Sequence, residues 1–83
     1  MKLKLTNWQR IIFYNYRLNH LPLSRYAMKL QITPGYFNIL VKELISKKLL
    51  ILTCPDLRSK RIVLSSSGEE VAASLYIIHK ILG

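Results

Sequence analysis

Acidic residues are what this sequence most conspicuously lacks. Glu43, Asp56, Glu69 and Glu70 are the only four, against 13 lysines and arginines, so the formal net charge is +9. They form no paired-carboxylate motif and have ready structural roles as cap, turn or surface residues. The charge balance points instead to a polyanionic partner, most simply nucleic acid. An anionic membrane surface is the alternative. There is one cysteine, Cys54. No internal disulfide can form, and the expected compartment is reducing, the cytoplasm. Lys and Arg recur throughout, so no apolar run reaches the ~20 residues needed to span a membrane. The opening "MKLKLTNWQR" has neither the apolar core nor the small-residue cleavage site of a signal peptide. Glycine is scarce and nowhere forms a phosphate loop. His20 and His79 are too isolated for a metal pair, and Cys54 has no neighbouring ligand. No nucleophile–base arrangement is present. The sequence is therefore read as a non-enzyme with no metal and no cofactor.

Apolar residues, by contrast, are plentiful. They make up 51% of 83 residues, too many for a disordered chain. A single domain, residues 1–83, is expected, and its size is marginal for a self-sufficient core. The apolar surplus suggests burial against a partner. "TNWQ" reads as a capping box, with Thr6 as N-cap and Gln9 three residues on. The helix it opens is predicted over 7–19, with Trp8, Ile11, Ile12 and Asn15 on one face. Arg10 and Arg17 mark its polar side. Pro22 suits the first turn of a second helix, in which Tyr26, Ala27 and Leu30 share a face. Thr33 caps a third helix, with Pro34 at its first position. Phe37, Leu40, Val41 and Leu44 form its inward stripe. Gly35, Asn38, Ile39, Lys42 and Ser46 lie opposite, and Lys47 and Lys48 fall in its last turn.

Residues 50–53 and 61–65 are short β-type runs with Pro55-Asp56 as a turn signal between them, a hairpin pattern. Ser66 and Ser67, each followed three residues on by Glu, offer capping boxes for a last helix. That helix carries two apolar stripes. Val71, Leu75, Ile78 and Leu82 suffice for a core, so Ala73, Ile77 and Ile81 want a partner. With Trp8 and Ile11 of the first helix, they are the expected homodimer interface.

Two helices joined by "QIT" and followed by a basic hairpin look like a winged helix-turn-helix. The stretch "YAMKLQITPGYFNILVKELISKKLL" is similar to the helix-turn-helix of the multiple-antibiotic-resistance-regulator (MarR-like) family. Tyr26-Ala27 stands for the family's Leu-Ala, Leu30 for the next core position and Ile32-Thr33 for the turn. Leu44 and Leu49 match its Leu-x4-Gly-Leu ending, with Lys48 in place of the Gly. "PDLRSKRIVLSSSGEE" resembles the family's wing pattern, Asp-x-Arg, five residues, Leu-Thr, two residues, Gly. Asp56, Arg58, Leu64, Ser65 (for Thr) and Gly68 carry the match. The resemblance covers roughly 21–71. It implies an α+β fold with a three-helix core, a β-hairpin wing and a C-terminal helix, and a sequence-specific regulator that binds double-stranded DNA. It does not extend to the long extra helices with which that family dimerises and forms an effector pocket, so no small-molecule effector is expected. In size the chain looks more like the minimal winged-helix proteins of archaea and their viruses.

The expected DNA contacts follow. A surface helix face is by default merely solvated. Following a capped tight turn in so basic a chain, Gly35, Asn38, Ile39 and Lys42 are read as entering the major groove. Asn can read adenine and Lys can reach guanine or phosphate, while Ile39 can meet a thymine methyl or, equally, pack at a partner surface. Tyr36 near the helix start can bond a phosphate or pack under the second helix. Ser24 and Arg25 open that second helix where it crosses the backbone, with capping as the other role for Ser24. Thr33 is counted with the DNA-binding positions. The resemblance implies that Arg58 reaches the backbone or minor groove, with Asp56 orienting or pairing with it. Lys60 and Arg61 follow on the wing, although strand alternation keeps all three from facing one way. The readings from other classes are a winged-helix protein-interaction module in a larger assembly and an architectural DNA binder with little sequence preference.

Overall fold

The computed structural model describes residues 4–54 and 60–82. Asp56, Arg58 and the Pro55-Asp56 turn signal lie outside the described residues. Thr6 opens the first helix as predicted, and its N–H donates to Gln9 Oε1 at 2.9 Å, one half of the capping box. The helix does not run unbroken over 7–19, however. It divides into α1 (Asn7–Phe13) and α2 (Asn15–Leu18) at Tyr14. The cause lies elsewhere in the chain. A continuous helix would use the Ile11 carbonyl for the Asn15 N–H, but the Tyr26 hydroxyl donates to that carbonyl instead. Arg10 likewise leaves the solvent side assigned to it. Its guanidinium donates to the Leu30 carbonyl at 2.6 Å, placing a cation at the end of the next helix.

That next helix, α3 (Leu23–Lys29), starts one residue after Pro22, which is its N-cap rather than its first-turn residue. Tyr26, Ala27 and Leu30 are buried, as their shared face requires. In α4 (Pro34–Ser46) the stripe Phe37, Leu40, Val41 and Leu44 fills the centre of the core. Burial of such side chains supplies about 1.5–3 kcal/mol each. Thr33 takes the N-cap backbone conformation, but its hydroxyl makes no capping hydrogen bond.

Both helices of the pair end alike. Gln31 N–H donates to the Met28 carbonyl and Ile32 N–H to Ala27; Lys48 N–H donates to Ile45 and Leu49 N–H to Leu44. These are the two bonds of the Schellman motif. It requires a left-handed residue, and Gln31 (φ 57°) and Lys48 (φ 61°) supply it without being glycine. Lys47 and Lys48 thus lie just past α4 rather than within its last turn. Lys48→Gly is expected to stabilise the protein by about 0.5–1 kcal/mol. That is the left-handed cost of a side chain less the extra unfolded-state freedom of glycine. Thermal unfolding measures it, and an unchanged or lower midpoint would contradict the account.

Strands β1 (Leu50–Thr53) and β2 (Arg61–Leu64) pair antiparallel, Leu50 with Leu64 and Thr53 with Arg61. Leu50 and Ile62 turn into the core. The final helix, α5 (Ser66–Leu82), is capped by Ser65 rather than by Ser66 or Ser67. Ser65 Oγ accepts from Gly68 N–H at 3.0 Å while its hydroxyl donates to the Lys48 carbonyl. Helix α5 lies along α1 through Phe13, whose ring meets Tyr76 and His79 at centroid separations of 6.2 and 5.3 Å. Among the described residues no helix is long and apolar enough to cross a membrane.

Candidate nucleic-acid interface

The start of α3, the flank of α4 beside its inward stripe and the inner face of the hairpin border one open groove. Apolar side chains line it, among them Pro22, Phe37, Val41, Ile45 and Leu52. Ser24, Asn38, Lys42 and Lys60 share the same lining, so four predicted positions from three elements converge there. The hairpin is fixed against α3 by a backbone bond, Leu23 N–H to the Lys60 carbonyl at 3.2 Å. Sequence reading had no signal for that link, because it involves no side chain.

The remaining predicted positions on α3 and α4 are not part of that lining. Arg25, Thr33 and Gly35 are exposed, Tyr36 is half-exposed, and Ile39 keeps 58% of its surface in water. Arg61 behaves differently from Lys60. It pairs with Thr53 on the opposite face of the hairpin, is partly covered, and has a buried Nε without a hydrogen-bond partner. Only Lys60 of the two faces the groove. Asp56 and Arg58 are outside the described residues. Among the described residues no three His, Cys, Asp or Glu side chains cluster as a metal ion would need.

The expected partner surface needs two corrections. Ile11 is fully buried in the protein's own core, so of the two first-helix positions only Trp8 offers surface. On α5 the inward stripe stops early. Val71 and Leu75 pack, but Ile78 and Leu82 are exposed together with Tyr76. This part of α5 meets α1 through Phe13, whose ring takes up Tyr76 and His79 rather than Ile78 and Leu82. Ala73, Ile77 and Ile81 are exposed as predicted, Ile81 at 74%. The last two turns of α5 therefore expose Ile77, Ile78, Ile81 and Leu82, with part of Tyr76.

A tightly linked helix pair, a basic hairpin packed beside the second helix and a C-terminal helix define a MarR-like winged helix-turn-helix. Solved structures bear this out. MepR, a transcription regulator of the Staphylococcus aureus multidrug efflux pump MepA, matches with TM-score 0.80 and 27% identity over 94% of this chain and 60% of its own. The S. aureus MepR–DNA complex matches with TM-score 0.79 and 28% identity, over 93% and 59% respectively. The Streptococcus pyogenes adhesin competence repressor AdcR shares the fold, with TM-score 0.79 and 23% identity over 94% and 60%. The chain spans about three-fifths of the length of these regulators. No family model and no curated protein matches it.

Proposed function

We propose that this chain binds double-stranded DNA in a sequence-specific way and regulates transcription. Helix α4 enters the major groove, and the hairpin flanks it on the backbone or minor groove. The observation that carries the reading is the convergence of Ser24, Asn38, Lys42 and Lys60 on one open groove, in a chain of net charge +9. The presence of DNA in a structure of the similar regulator MepR supports it. Two copies are needed to read two half-sites, and the apolar end of α5 with Trp8 is the surface on which a second copy would pack.

Selection of binding sites from a random duplex pool at physiological salt tests the whole reading. An enriched palindrome with half-site centres about 34–36 Å apart is the expected result for a dimeric regulator. Uniform weak retention would mean an architectural role. No retention would leave the protein-interaction reading. On the selected duplex, affinity should fall steeply with salt, because each neutralised phosphate releases counterions. A flat salt dependence would rule out phosphate-dominated binding.

A further inference from the structure

The exposed face of α4 is unusual for a surface helix in a chain this basic. Between Pro34 and Ser46 there is no arginine, the side chain best suited to guanine, and one lysine, Lys42. At the middle of the face stands Ile39, exposed at 58% between Asn38 and Lys42. One turn before it, at i−4 on the same face, is Gly35. A Cβ built at Gly35 would touch nothing within 4 Å, and its φ is not positive, so neither packing nor backbone geometry asks for glycine there. Gly35 is the second residue of α4, where alanine would serve the helix at least as well. The use of glycine there is best understood as clearance beside Ile39 for something outside the chain.

Resting on the DNA-binding reading above, we propose that Ile39 is a specificity-determining residue that packs on the 5-methyl group of thymine. The sites preferred under α4 are then A·T-rich. Isoleucine offers no hydrogen bond, so the base feature it can read in the major groove is the thymine methyl. Asn38, its neighbour in sequence, can take both major-groove groups of adenine. Gly35 leaves the turn beside Ile39 bare, so that the helix can approach the base edges closely enough for contact. A large positive charge brings the helix to the duplex but cannot distinguish its bases.

The test uses the full chain and two random duplex pools, one made with thymine and one with uracil, which lacks the methyl. Selection from the thymine pool should enrich A·T pairs in each half-site. The best duplex should lose about fourfold in affinity per contacted thymine when remade with uracil, the equivalent of roughly 0.8 kcal/mol for one buried methyl-sized group. Ile39→Ala should bind the two versions of that duplex equally. Its far-ultraviolet circular dichroism should match wild type, because the side chain is exposed. Enrichment of G·C pairs, or a uracil penalty that persists in Ile39→Ala, would overturn the proposal and leave DNA binding intact. Uniform retention without base preference would do the same. Failure of either pool to be retained at low salt would overturn the DNA-binding reading and this proposal with it.

Discussion

Gly68→Ala is expected to cost about 3 kcal/mol or more and to leave much of the protein unfolded at moderate temperature. A Cβ at Gly68 would lie 2.0 Å from the Leu49 carbonyl oxygen, 3.1 Å from its carbon and 3.2 Å from Leu64 Cδ2. The first two are backbone atoms, so no side chain can swing aside. Moving Leu49 is costly as well. Its carbonyl accepts from Ser65 N–H at 3.1 Å, and its own N–H closes the end of α4. Gly68 thus holds together the end of α4, the base of the hairpin and the first turn of α5. Urea denaturation followed by circular dichroism measures the effect. A loss below 1 kcal/mol would show that α5 can shift away without penalty. Gly35→Ala serves as the control, since it meets no atom and exchanges glycine for the best helix former. It should be neutral or stabilising.

The same contacts explain why the wing pattern was legible. Its Leu-Thr-x2-Gly ending is a junction written in local sequence. Leu64 pairs with Leu50, Ser65 caps α5 and bonds the Lys48 carbonyl, and Gly68 fits against Leu49. Ser65 stands at the pattern's threonine position and supplies a hydroxyl there. The stripe of α4 was equally legible, because 3.6-residue periodicity follows directly from helix geometry. Other features had no local sign. Gln31 and Lys48 adopt left-handed conformations that sequence rules reserve for glycine, since the Schellman bonds and the packing of Ile32 and Leu49 impose them. The break at Tyr14 depends on a hydroxyl 15 residues past Ile11. Neither correction to the partner surface had a local sign. Ile11 was assigned to an interface because periodicity gives a face but not what covers it. The groove itself was legible only as separate residues. Lys60 meets Asn38 and Lys42 there because β2 is tied to α3 through backbone atoms.

Tyr26→Phe and Asn15→Leu are each expected to destabilise the protein by about 2–3 kcal/mol, and the double variant by less than the sum. Asn15 is the buried polar residue of the described core, and both N–H groups of its amide are used. Nδ2 donates to Tyr26 Oη at 3.2 Å and to the Ile62 carbonyl at 3.0 Å, and the Tyr26 hydroxyl in turn donates to Ile11. Two side chains therefore join the α1–α2 break, α3 and the wing strand. Removing either one strands buried groups on the other, whereas removing both strands fewer. That is why the penalties should not add. The Tyr26 phenol adds a pH signature. Burial raises its pKa, and the hydrogen bond from Asn15 only partly offsets this. The folded form thus keeps a proton that the unfolded chain releases above about pH 10. Stability from this group is full below that value and declines above it, by about 1.4 kcal/mol per pH unit. Other tyrosines and lysines also titrate there, so the informative quantity is the difference between wild type and Tyr26→Phe. Denaturation midpoints of the two should converge as pH rises from 9 to 11. Parallel curves would mean that the Tyr26 hydroxyl is not held neutral by the core. The bond that diverts the Ile11 carbonyl, and with it the explanation of the helix break, would then have to be abandoned.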